Sequence, residues 1–184
     1  MTYKLKIHLI LKNFFLNLDK IYLLPNFVKK ISKIIYEVSN NYTFDRDFNG
    51  ENKIIIKLKD KYNLVNIFDV GANKGYWSKY CHNYFPNSNF YLFEITPSRI
   101  KILKKIKNTK FNIYNFGLSN QNKISYFYDY NSLDGENSFF NTRPEILHKK
   151  RKCRFVDGNS FCKKKNIKNI DFLKIDVEGM EHEV

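Results

Sequence analysis

Two periodicities divide the chain. Up to about residue 63 the apolar positions recur at helical spacing: Val28, Ile31, Ile34, Ile35 and Val38 fall on one helix face. Pro25 is expected to precede that helix and separate it from an earlier one. Residues 39–49 read as loop and 51–62 as a further helix. From Leu64 on, short apolar runs alternate with helical stretches. Residues 65–70 (VNIFDV) read as a buried parallel strand ending at a glycine turn. Residues 75–84 suit a helix closed by Pro86, and 89–94 (NFYLFE) form a second strand. Thr96-Pro97 is a helix-start signature, with Ile100, Leu103 and Ile106 facing inward and Lys101, Lys104 and Lys105 outward. Residues 110–116 and 123–130 read as strands, 131–147 as irregular, 159–165 as a short helix and 170–176 (IDFLKID) as a strong strand.

Strand and helix in alternation give the α/β pattern of an open, doubly wound parallel sheet. The expected organisation is an N-terminal helical region over 1–63 and an α/β domain over 64–184. The sequence stops at Val184, just after a strand and its turn.

Three constellations carry candidate chemistry. The first is Asp69-Val70-Gly71-Ala72-Asn73-Lys74-Gly75. Glycines in a strand–turn–helix let a ligand approach the backbone, outside the carboxyl ends of the strands. Asn73 stands where a dinucleotide fingerprint needs glycine, and no Gly-Lys-Ser/Thr follows. Asp69 would repel a pyrophosphate and suits a cationic ligand with hydroxyls and an amino group, such as S-adenosylmethionine. The second is Glu94, at the end of the next strand and at the spacing of a carboxylate that takes two ribose hydroxyls. Its plainer reading is a solvated strand-end acid. The third is the pair Asp176 and Glu178, expected to share one face of an extended segment. Paired acids there can bind a hydroxyl, act as a base or hold a metal, or one of them can cap a following helix. No His–carboxylate spacing demands a metal.

Taken in order, DVGANKGYWS, FEITP, NFGLS and LKIDVEGMEHEV resemble the FkbM-type methyltransferase family over roughly residues 49–184. The resemblance implies a Rossmann-like class I methyltransferase fold that uses S-adenosylmethionine. It carries Asp69, Gly71, Asn73, Gly75 and Glu94 into the cofactor site, and Asp176 and Glu178 onto the family's acidic pair. It puts Asp157 near the cofactor. It implies O-methylation of a sugar, glycan or small-molecule hydroxyl. Measured against a seven-stranded class I sheet, residues 64–184 are expected to form a partial methyltransferase domain with the later strands missing. Ile95 and Thr96 depart from a Phe-Glu-Pro pattern.

Charge changes the picture of partners more than that of fold. Lys and Arg number 32 against 18 Asp and Glu, a net charge of +14, and five of the 32 are Arg. The bland account is a lysine-rich bias; the sharp one is an anionic partner. The run His148–Lys152 with Arg154 is expected as a solvated loop, or as a site for an anionic acceptor. A nucleic-acid methyltransferase is the second reading, disfavoured because no Asn/Asp-Pro-Pro-Tyr/Phe or Pro-Cys motif occurs. A truncated chain without activity is the third. Cys81, Cys153 and Cys162 form no CxxC spacing, which suits a reduced, cytoplasmic setting. No apolar run is long enough to span a membrane, although the basic, apolar first residues allow weak surface contact. His82 is expected at the surface. His182 is a candidate to approach substrate.

Overall fold

The computed structural model describes residues 24–40, 49–130, 137, 139, 141 and 147–184. They fall into two units that divide between Ile54 and Ile55. In the first, helix α1 runs Leu24–Ser39. Pro25 therefore lies in its first turn, where a missing N–H is harmless, rather than ahead of it. The expected earlier helix and most of the 39–49 loop lie outside the described residues. Helix α2 (Glu51–Lys59) is opened by Asn49, whose Oδ1 accepts the Glu51 N–H at 2.9 Å.

The second unit continues as β1 (Asn66–Val70), α3 (Tyr76–Tyr84), β2 (Asn89–Phe93), α4 (Pro97–Leu103), β3 (Phe111–Tyr114), β4 (Gly117–Ser119), β5 (Lys123–Asp129), β6 (Lys149–Asp157), α5 (Gly158–Lys165) and β7 (Phe172–Ile175). A short 3-10 turn follows at Glu181–Glu183. The main sheet has the order β3-β2-β1-β7, with every neighbour parallel. This is the expected α/β architecture.

Alternation along the strands sends residues to two faces. Ile67, Phe90 and Leu92 pack with Trp77 and Cys81 of α3 and with Ile100 and Leu103 of α4. Phe68, Val70 and Phe93 pack on the other side with Phe161 of α5. Phe161 meets Phe93 and Tyr114 edge-on at 5.1 and 5.0 Å, the arrangement aromatic quadrupoles favour. Lys101, Lys104 and Lys105 point to solvent as expected.

A second, three-stranded sheet has the order β4-β6-β5, β4 parallel and β5 antiparallel to β6. It corrects the reading of the basic run. Residues 149–157 form a nine-residue strand, not a loop. Cys153 and Phe155 face inward, and Arg151 pairs with Asp129, while Lys150, Lys152 and Arg154 face out. The period of two was present in the sequence but masked by cations on both faces. One smaller correction, at His82, follows from packing, and two further details go with it. His82 is half-buried, its ring edge-on to Phe90 at 5.6 Å and Phe111 at 5.5 Å. Trp77 is buried and stacks on Phe172 at 5.6 Å. β7 is only partly buried, with Leu173 facing solvent.

The three cysteines are free. Burial, with the Asp69 charge adding to it, pushes the Cys81 thiol up to about 12, and burial raises Cys153 to about 11. Thiolate is the reactive form. In the native chain an alkylating reagent at mildly alkaline pH should therefore label half-buried Cys162 first, and Cys81 and Cys153 only as fast as the chain opens. Mass mapping of the labelled sites checks this; rapid labelling of Cys81 in folded protein would contradict the packing.

Candidate active site

β1 delivers the chain into the loop 71–75. The N–H groups of Gly71 and Ala72 both donate to the Phe93 carbonyl at 2.9 Å, fixing the loop on the end of β2. Gly71 has φ +82°, and a Cβ there would collide with the Asp176 carbonyl and meet Val177 Cγ1 at 3.3 Å. The glycine is thus required by the neighbouring strand end, whereas its sequence pattern suggested an approaching ligand. Gly75 has φ +75°, and a Cβ would lie 2.7 Å from Leu103 Cδ2 and 3.1 Å from Ile106 Cδ1. It seats α3 against α4 and is buried away from the cleft wall. Asn73 takes a left-handed φ of 50°, which asparagine tolerates. Its Oδ1 is buried with no hydrogen-bond partner.

Glu94 is buried at the end of β2. Its Oε2 accepts the Asn73 N–H at 2.9 Å and its Oε1 accepts the Thr96 N–H at 2.7 Å. A carboxylate has about four acceptor positions, so lone pairs remain for a ligand. Thr96 stands at the N-cap position before Pro97, but its hydroxyl does not cap α4. It accepts instead from Asn137 Nδ2 at 3.1 Å, while Asn137 Oδ1 takes the Tyr130 N–H at 3.1 Å. Asn137 belongs to the stretch read as irregular, and no spacing marked it.

The acidic end of β7 is held by a lysine that sequence reasoning passed over. Lys174 Nζ lies 3.2 Å from Asp69 Oδ1 and 3.3 Å from Asp176 Oδ2. Asp69 Oδ2 accepts the Ser78 hydroxyl at 2.6 Å. Asp69 is fully buried beneath the cleft and faces Lys174 and α3. Burial disfavours the Lys174 ammonium, but the Asp69 and Asp176 charges outweigh it and raise its pKa above the ordinary value. The expected extended Asp176–Glu178 segment is a turn, since β7 ends at Ile175 and Glu178 has φ +53°. Glu181 fixes that turn by accepting the Val177 N–H at 3.1 Å and the Gly179 N–H at 3.0 Å. Burial alone would raise the Glu181 pKa; backbone amides overcome this and lower it. His182 is exposed in the 3-10 turn. Asp157 caps α5, accepting the Ser160 N–H at 2.8 Å, and lines a separate groove.

Gly71, Asn73, Glu94, Asp176 and Glu178 come together on one cleft with about 740 Å³ of empty space, part of it open to solvent. It lies beyond the carboxyl ends of β1 and β2, where strand order reverses at β1. Phe93, Phe127 and Phe155 supply apolar walls, and Arg99 a cation. The arrangement offers acceptors for hydroxyls at Glu94, an acceptor for an N–H at Asn73, and two solvent-facing acids for a proton.

A parallel sheet reversing at β1, a glycine turn after that strand and an acid closing the next define a nucleoside-binding α/β domain of the class I methyltransferase kind. The Methyltransferase FkbM domain matches residues 69–184, and the chain belongs to that family. Its members use S-adenosylmethionine, and this chain is accordingly an S-adenosylmethionine-dependent methyltransferase. No curated protein matches the chain. Among the described residues, no helix is long and apolar enough to cross a membrane.

Replacing Lys174 with Met leaves Asp69 buried without its counter-charge, which should lower stability by about 3–5 kcal/mol at neutral pH. A lysine with a raised native pKa contributes stability that is full below its ordinary value of 10.5 and is lost as pH rises through the raised one. Urea titrations of both chains should show a gap that is flat through neutrality and narrows in strong alkali. A gap absent at neutrality would remove the ion-pair account.

Proposed function

We propose that this methyltransferase alkylates a hydroxyl of a sugar, glycan or small molecule, with residues 64–184 as the catalytic domain and 1–63 as a helical extension. The observation that carries the reading is the convergence of Asn73, Glu94, Asp176 and Glu178 on one cleft. S-adenosylmethionine supplies a methyl group already activated on a sulfonium, so the chain's work is to position and to manage one proton. The spare lone pairs of Glu94 suit two ribose hydroxyls. The orphaned Asn73 oxygen suits the ligand's amino group, and the Phe93 side of the cleft suits a flat base. Gly71 keeps the loop low enough to admit the cofactor, and Asp69 and Gly75 support that loop from behind.

Asp176 and Glu178 face the remaining opening. One of them orients the acceptor hydroxyl and takes its proton as the new carbon–oxygen bond forms. Lys174 Nζ, 3.3 Å from Asp176 Oδ2, fixes the orientation of that carboxylate. The three free thiols support a reducing, cytoplasmic setting.

A nucleic-acid acceptor is favoured by one observation. Lys150, Lys152 and Arg154 line the outer face of β6, and Lys150 Nζ sits 5.3 Å over the Tyr126 ring. That face is turned away from the cleft, whose wall is formed by Phe127 and Phe155 on the opposite side. The hydroxyl reading therefore stands first.

Calorimetric titration of Glu94→Gln with S-adenosylmethionine should give a dissociation constant roughly 10–100-fold weaker, the loss expected for hydrogen bonds to a charged group. Asp176→Asn should bind the cofactor as before, yet transfer labelled methyl to a sugar or glycan panel about 100-fold or more slowly. Undiminished affinity in the first variant sinks the ribose role, and equal turnover in the second sinks the base. Methylation of RNA or DNA with no sugar accepted would favour the second reading.

A further inference from the structure

Helix α1 presents a problem that methyl transfer does not explain. Phe27, Ile31, Ile34, Ile35 and Val38 are 62%, 40%, 56%, 62% and 67% exposed. Their spacing places all five on one side of the helix. Scattered apolar side chains at a surface are ordinary, but a contiguous stripe of large ones marks an interaction site. Lys30 borders that stripe and Lys29 and Lys33 lie behind it, against a single acid, Glu37, which already lies 3.6 Å from Lys33. α1 has 16 residues, so it is about 24 Å long.

Apolar residues on one face, lysines beside and behind them, and modest overall hydrophobicity are the physical description of a helix that lies in a membrane interface. Charge selects the surface. The +14 chain is drawn to anionic headgroups, and each lysine near such a surface adds attraction. A second copy of the same helix would instead bring like charge to like. We propose that α1 docks flat on an anionic lipid membrane, with Phe27, Ile31, Ile34, Ile35 and Val38 in the acyl boundary and Lys29, Lys30 and Lys33 at the headgroups. This inference is independent of the acceptor and of the cleft.

The test is co-sedimentation of the full chain with vesicles of phosphatidylcholine, with and without phosphatidylglycerol. Binding should appear with phosphatidylglycerol and fall as salt is raised. The double variant Ile34→Asp, Ile35→Asp should lose it at least tenfold. Lys29→Gln and Lys30→Gln should each weaken it about fivefold on the anionic vesicles only. Unchanged far-UV circular dichroism and cofactor binding would show that these variants fold. No binding to anionic vesicles, or equal binding to both kinds, overturns the proposal. So does a dimer by light scattering that the Ile34/Ile35 variant dissociates while vesicle binding is absent, since the face then belongs to a second copy.

Discussion

The Asp176 carbonyl passes directly over the Cα of Gly71, and the arrangement of the cleft depends on that approach. β7 lies parallel to β1 in a register that sets Val70 opposite Ile175. Were the loop after β1 to carry any side chain at position 71, the two strand ends would separate. Asp176, Glu178 and Glu181 would then leave the neighbourhood of Asn73 and Glu94. The electrostatics obey the same constraint. Lys174 can lie between Asp69 and Asp176 because the strands are adjacent, and it exchanges hydration for two carboxylates. At the other end of the pair, Asp171 accepts the N–H groups of Val65 and Asn66, both at 2.9 Å.

The parts legible from sequence were those whose signal is local. β1 and β2 announced themselves as apolar runs ending at a glycine and an acid, and α4 as an amphipathic turn behind Thr96-Pro97. β6 did not, because cations occupy both of its faces and read as solvated charge. The glycine loop was recognised for a reason that proved different at two positions. A local pattern shows that φ must be positive, but not whether a ligand, a strand end or a leucine methyl fills the space beside it. Lys174 and Glu181 lie inside the stretch LKIDVEGMEHEV, where no local spacing marks either of them. Lys174 earns its place only through Asp69 on another strand, and Glu181 only through a turn that an extended reading of Asp176–Glu178 hid.

Glu94 shows how a binding group can be held ready. Its two oxygens receive N–H groups from the glycine loop and from the start of α4, so the carboxylate ties both segments to the end of β2. Little rotamer freedom remains to be lost when a ligand arrives, which favours affinity without new contacts. The Asn137–Thr96 bond extends the same rigidity to the far wall of the cleft.

The β1–β7 pairing also has a consequence for the making of the protein. The Asp171–Val65 contact joins residues 106 positions apart, and the ion pair of Asp69 with Lys174 spans a similar distance. Contacts so remote form late, after most of the entropy of loop closure has been overcome. During synthesis the glycine loop, Glu94 and the helices that flank them leave the ribosome well before the strand that completes the cleft. Until it docks, Asp69 lacks its lysine and the flank of β1 is unpaired. The nascent chain is therefore most exposed to misassociation in that interval.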